Sequence, residues 1–287
     1  NEAPDCISVF SPVPAVAPVS FAAGHRFAHY IGAHTHTFFD WYGDHPTGQT
    51  QTVGVQGDSC ECADWFNAKF IILWGANPSI TRIPDAHYLW EAALNGTKIV
   101  SISPDYNAST IKADQWLHLK PGTDGALGLA MAHVIIKENL FDVMSVKEQT
   151  DLPYLVRKDN RRFLREADVV EGGSPNKFYV WDAKTGKAVI AKGCWGDEPE
   201  QKAPPVAFLG RNTNTFPKGY IALGDLDPAL EGSFKVPAKG GTSLDVEPVF
   251  AILKSRIMNL NTPEKAAAIT GIPAKVIVQL AKDYATA

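Results

Sequence analysis

Residues 70–106, FIILWGANPSITRIPDAHYLWEAALNGTKIVSISPDY, decide the fold. The opening Phe70-Ile71-Ile72-Leu73 is apolar at every position, too short for a free-standing helix and rich in strand-forming side chains. Trp74-Gly75-Ala76-Asn77-Pro78 interrupts it, because Gly and Asn-Pro break any regular period. A helix follows. Pro84 suits a first turn, where its missing N–H costs nothing, and Asp85 suits the positive helix end. Ala86, Leu89, Trp90 and Ala93 recur at helical spacing, and Gly96 supplies a left-handed stop. Residues 98–102 then predict a second buried strand, ending at Ser103-Pro104-Asp105-Tyr106. Strand, turn, helix and strand make a βαβ unit, whose two strands must run parallel. The predicted class is α/β with a parallel-sheet core.

In such a sheet, ligands bind outside the carboxyl ends of the strands, so the tips at 74–78 and 103–106 should face one crevice. Asp105 there can accept hydrogen bonds from a ribose or a guanine edge, or can close an Asx turn after Pro104. Spacing leaves both open. A nicotinamide fingerprint is excluded, because the first tip lacks G-x-G-x-x-G.

The chain's 287 residues can bury a sizeable core. A net charge of −4 lacks the basic surplus of nucleic-acid binders, so no nucleic-acid partner is expected. No apolar run approaches the roughly 20 residues that span a bilayer, so no direct membrane insertion is expected. The apolar passage at 13–23 is broken by prolines and carries no basic flank, unlike a signal peptide. Cys6, Cys60, Cys62 and Cys194 are too few for a disulfide scaffold. Cys60-Glu61-Cys62 has one intervening residue, short of common metal-site spacing.

Along the chain, 6–19 reads as a strand and a proline-rich passage, with Ser20 capping a helix that stops near Gly32. Residues 34–46, HTHTFFDWYGDHP, crowd three histidines, two carboxylates and four aromatics into thirteen positions, a loop held by its rings. Residues 107–114 read as a short helix and 116–119 as a third strand. Thr123 is the expected N-cap of a strong helix, whose first N–H groups form an anion seat. Between 151 and 246 the texture changes to charged runs, paired glycines and short strands, an irregular mixed α+β excursion from the core. Thr262-Pro263-Glu264 opens a helix ending at Gly271, and Pro273 opens another. The expected organisation is a core over 1–150, the excursion over 151–246, and a helical pair over 247–287 packing back on the core.

FFDWYGDHP, ADWFNAKFIILWGANPSITRIPDAHYL, GTKIVSISPDY and LKPGTDGALGLAMAHVI occur here in that order, followed by TPEKAAAITGIPAKVI. Together they resemble the catalytic subunits of molybdenum oxidoreductases of the dimethyl sulfoxide reductase family. The match is nearest the branch of respiratory nitrate, selenate, chlorate and perchlorate reductases, and within it the perchlorate and selenate enzymes. It covers essentially the whole chain. The resemblance implies a dinucleotide-binding core holding molybdenum between two pterin guanine dinucleotides, and oxygen-atom transfer from a small oxyanion. Aligned with the branch pattern, Asp44 becomes the metal ligand and Asp40 the first carboxylate of the loop. Phe38 and Phe39 line the substrate route, Phe39 standing where many relatives carry Tyr, and His45 or His36 either supplies protons or packs beside the loop. Trp74, Gly75, Asn77, Thr81 and His87 match cofactor contacts; Ser103, Asp105, Gly122, Thr123 and Asp124 match guanine and phosphate contacts. An iron–sulfur beta subunit and a periplasmic location also follow from the resemblance.

The family's N-terminal iron–sulfur ligands do not occur here, although a cluster is expected in the full subunit. The half that completes the second dinucleotide site does not occur either, so the chain reads as an internal piece of a larger subunit. Two other classes remain: a zinc-type hydrolytic site from His34, His36, Asp40, Asp44 and His45, and a non-catalytic α/β binding module. Metal analysis separates the first; isolated expression without cofactor or turnover would favour the second.

Overall fold

The structure is a computed structural model and describes residues 4–9, 18–35, 52, 61–193 and 221–287. Its contacts divide the chain into two compact units, 1–64 and 65–287. In the first, helix α1 (Pro18–Ile31) accompanies a short parallel pair, β1 (Ser8–Val9) and β2 (His34–Thr35). Gly32, at φ +73°, ends α1 in the left-handed region that Gly adopts without a Cβ penalty. Among the described residues α1 runs from Pro18, so Ser20 lies within the helix.

The second unit is built on β3 (Phe70–Trp74), β4 (Lys98–Ser103) and β5 (Gln115–His118), all parallel and ordered 3-4-5. The predicted strands thus lie in one sheet, with Ile72 opposite Val100 and Ile102 opposite Leu117. Side chains alternate across the pleat, and both faces are covered, which is why the strands read as unbroken apolar runs. Ile71, Leu73 and Ile99 pack on Leu89, Trp90 and Ala93 of α3 (Ile83–Leu94). Phe70, Ile72, Trp74, Val100, Ile102 and Leu117 pack on the other side. There they meet α4 (Asp124–Lys137), α8 (Pro263–Thr270) and α9 (Ala274–Ala285). Pro84 and Asp85 occupy the first turn of α3, and Gly96 follows it at φ +97°. A one-turn helix, α2 (Pro78–Thr81), separates β3 from α3.

Thr262 caps α8 by accepting from Lys265 N–H at 3.3 Å, and Gly271 ends it at φ +83°. The pair α8–α9 is pinned to the sheet by Lys98 and Asp283, 2.5 Å apart. Lys98, and after it Gln279, hold the Asp283 carboxyl below the usual carboxylate range.

Residues 151–248 supply antiparallel strands. β6 (Leu155–Arg157) pairs with β10 (Ser243–Pro248), which pairs with β9 (Phe234–Pro237); β7 (Tyr179–Asp182) and β8 (Lys187–Ile190) form a hairpin. Leu155, Leu164, Tyr179, Val236 and Val246 form a core here, separate from the sheet's. Three helices were not anticipated from sequence: α5 (Val143–Gln149), α6 (Glu166–Val169) and α7 (Val249–Leu260). Among the described residues no helix is long and apolar enough to cross a membrane.

Candidate functional site

The carboxyl ends of β3, β4 and β5 bring three of the sequence-named stretches together. At the first, Trp74 ends β3 and Gly75 turns the chain at φ +60°, its N–H donating to Ile102 C=O at 2.9 Å. A Cβ on Gly75 would meet nothing within 4 Å, so the glycine serves the backbone turn and leaves its outer side open. The Trp74 indole reaches across the sheet end and donates Nε1–H to Asp124 Oδ1 at 2.8 Å, at the start of α4. The second tip joins the same group, since Trp116 of β5 donates Nε1–H to Ser103 C=O at 3.1 Å.

Gly122 precedes α4 at φ +77°, again with open space where a Cβ would stand. Thr123 occupies the N-cap position but does not cap: its hydroxyl donates to Lys120 C=O at 2.6 Å. The tight turn after Pro121 puts that carbonyl within closer reach than the helical N–H groups. The start of α4 therefore presents N–H groups that no side chain caps, together with the positive end of a 14-residue helix.

Asp105 stands exposed at the second tip, accepting from Ser103 Oγ–H at 2.5 Å. The Ser103 hydroxyl above all, then the backbone N–H and Asn107, hold its carboxyl below the usual carboxylate range against some desolvation. The ligand-acceptor and turn readings of Asp105 are compatible, because its contact with Ser103 uses one carboxylate oxygen. Sequence reasoning missed Asn107 and Ser109. Residues 107–114 form less helix than expected, a single 3-10 turn (Thr110–Lys112), because Asn107 Oδ1 accepts from Ser109 N–H at 3.0 Å and Thr110 N–H at 3.3 Å. Ser109, fully buried, donates to Asn77 Oδ1 at 2.7 Å and so joins the first two tips. The signal was present in Asn107-Ala-Ser-Thr110, a run whose side chains compete for backbone hydrogen bonds. Nearby, Ser79 Oγ is buried and meets no hydrogen-bond partner among the described residues.

The other named residues stand apart from this network. Thr81 donates back to Asn77 C=O at 3.0 Å. His87 is exposed on α3, where Nδ1 lies 3.1 Å from Glu91 Oε1 and the ring packs on Tyr88. Phe38, Phe39, Asp40, Asp44, His45 and His36 lie outside the described residues. Among the described residues no three His, Cys, Asp or Glu side chains gather as a metal group.

A sequence profile described as Molybdopterin oxidoreductase matches residues 1–271, and the chain belongs to that family. Across its whole length it is 77% identical to the perchlorate reductase subunit alpha of Dechloromonas aromatica, of which it spans 31%. It is 39% identical to the respiratory nitrate reductase subunit alpha of Haloferax mediterranei, over 99% of this chain and 28% of that one. It is 38% identical to the chlorate reductase subunit alpha of Ideonella dechloratans, over 96% of this chain and 27% of that one. The chain thus spans about a third or less of these relatives. Among solved structures, acetylene hydratase from Pelobacter acetylenicus is similar at TM-score 0.38 and 16% identity, over 97% of this chain and 24% of that one.

Proposed function

We propose that this chain forms part of the cofactor site in the alpha subunit of a molybdenum oxyanion reductase. Its substrates are perchlorate and chlorate, with selenate or nitrate the next in line. The observation that carries this reading is the 77% identity, over the whole of this chain, to a perchlorate reductase alpha subunit. The three sheet tips support it with the chemistry an anionic dinucleotide needs.

Two glycine turns with open space beside them allow close backbone approach, and the uncapped start of α4 suits a phosphate. Asp105, held ionised by Ser103, suits the N–H edge of a guanine. The orphan hydroxyl of Ser79 marks the same corner as polar beyond what the chain itself satisfies. The residues at the three tips therefore fit a molybdopterin guanine dinucleotide: Trp74, Gly75 and Asn77 along one side, Ser103 and Asp105 at the base, and Gly122, Thr123 and Asp124 at the phosphates, while Thr81 and His87 join them through the resemblance. The bis form needs a second set of contacts from the remainder of the subunit. When bound, the molybdenum centre supplies two-electron oxygen-atom transfer, with electrons arriving through iron–sulfur clusters of the full subunit and an iron–sulfur beta subunit. The proposal includes a periplasmic location.

In this reading Asp44 offers the metal a hard anionic oxygen suited to an oxophilic ion. Phe38 and Phe39 exclude water and shape entry, and His45 holds a proton for release at the substrate oxygen. The test is purification of the full-length subunit and its Asp44→Ala variant. The wild type should contain molybdenum and guanine nucleotide and reduce perchlorate and chlorate. The variant should lose at least about a thousandfold in turnover and change its molybdenum resonance spectrum. A wild-type protein containing zinc without molybdenum, or a variant with unchanged spectrum and rate, would overturn the reading.

A further inference from the structure

We propose that Asn107 and Ser109 are positioning residues that give the crevice a fixed hydrogen-bond polarity, with its donor at Asn77 and its acceptor at Asp105. The inference rests on the cofactor reading above and adds which atoms face the ligand and what holds them there. Backbone N–H groups can only donate, so the Asn107 atom that meets Ser109 N–H at 3.0 Å and Thr110 N–H at 3.3 Å must be the amide oxygen. That turns the Asn107 amide nitrogen toward Ser103 Oγ, to which it donates at 3.3 Å. Ser103 Oγ also accepts Asp105 N–H at 3.4 Å, so its own proton goes outward to Asp105 Oδ1 at 2.5 Å. The carboxylate is thereby held as an acceptor at the exposed second tip.

The same logic runs to the first tip. Ser109 Oγ accepts Ser79 N–H at 3.0 Å. Its hydroxyl proton, on a residue with no exposure, needs an acceptor, and Asn77 Oδ1 at 2.7 Å is the one present. The Asn77 side chain is therefore locked with its oxygen inward and its two N–H donors outward, where they meet no partner among the described residues. Ser101 Oγ braces the far side of the chain, 2.9 Å from Thr110 Oγ1, deep in the sheet. One buried chain of hydroxyls and amides thus points a donor out at one tip and an acceptor out at the next. A cofactor with an anionic phosphate or carbonyl-rich portion and an N–H-bearing base edge binds in one direction only.

The readout is the release rate of guanine nucleotide and molybdenum from purified holoenzyme. Five single variants and one double are compared: Asn77→Ala, Asp105→Asn, Ser109→Ala, Ser109→Thr, Asn107→Asp, and Asn77→Ala with Ser109→Ala. Ser109→Ala should speed release about tenfold alone and add nothing further in the Asn77→Ala background, since it acts through that amide. Asn107→Asp keeps the acceptor for the 107–110 turn but loses the donor to Ser103, and should speed release to the extent that Asp105→Asn does. Ser109→Thr, which keeps the hydroxyl, should restore slow release and covers the case in which Ser109→Ala does not fold. Additive effects of Ser109→Ala and Asn77→Ala, or slow release in Asn107→Asp while Asp105→Asn releases fast, would overturn the positioning roles alone. Unchanged release in both Asn77→Ala and Asp105→Asn would overturn the cofactor reading itself.

Discussion

The parallel sheet and the antiparallel excursion both carry many polar groups, but they use them differently. In the excursion the charges meet each other. Arg157 lies between Asp159 at 2.6 Å and Asp168 at 2.7 Å, Arg161 reaches Glu247 at 3.1 Å, and Arg165 sits over the Phe178 ring. Buried Asp182 accepts from Thr185 Oγ1 and from the backbone of Lys184, Thr185 and Asp227. Thr185 foremost holds its carboxyl below the usual range. A cleft of about 550 Å³ opens among these arginines, of which Arg157 and Arg161 are paired with carboxylates and Arg165 donates to Pro175 C=O. At the carboxyl edge of the sheet, by contrast, no ion pair among the described residues is involved: Ser109 donates to Asn77 Oδ1, Ser103 donates to Asp105 Oδ1, and Asp105 stays exposed.

That contrast can be broken or sharpened by experiment. The largest effect expected is Leu155→Ala, which empties a fully buried site in the excursion core and should cost about 3 kcal/mol of local stability. Hydrogen exchange across 155–248 should report it while guanine retention stays at the wild-type level; lost retention would mean the two regions are coupled. Next, Asp105→Ala should lower retained guanine nucleotide and molybdenum about tenfold with an unchanged unfolding midpoint, the pattern of a site residue. A fall in the midpoint without a change in retention would make Asp105 part of the scaffold.

A smaller effect is expected on acidification. The Asp105 pKa is depressed in the folded chain, so its contribution is complete above the ordinary carboxylate value of about 4 and fades as pH falls through the lower folded value. Ser103→Ala removes the main cause of the depression and should move acid-induced release of guanine nucleotide upward in pH. A release profile that does not move would separate Asp105 from the ligand. The smallest is Thr262→Ala, which removes the cap of α8 and should cost about 1 kcal/mol, read as a lower thermal midpoint with cofactor content unchanged.

Much of the sheet was legible because burial on both faces leaves an apolar run that no helix of that length would show. Phe70 to Leu73, Pro84 and Gly96 carried that reading alone. The helix Val249–Leu260 was not legible: it follows Pro248 directly from a strand, and its apolar positions Phe250 and Ile257 find their partners on Ile136, far away in sequence. Thr123 misled because a hydroxyl at an N-cap position can equally donate backward to a carbonyl, and only the turn geometry decides. At the site, Asp105 was visible as a lone acid at a strand tip, whereas Ser109 was not, since its role depends on Asn77, which lies 32 residues away. Asp44 and its neighbours were named through resemblance, and their spacing alone fitted a zinc site as well.

The order of the three strands along the chain has a consequence for synthesis. Strands β3, β4 and β5 are sheet neighbours in the order in which they are made, so the sheet can close over short loops as it emerges. The helices that cover one face, α8 and α9, arrive only after the whole excursion, and Lys98 waits 185 residues for Asp283. Until then Val100, Ile102 and Leu117 are covered only in part, by α4, and a nascent chain stalled before Thr262 should be a chaperone client and aggregate when released.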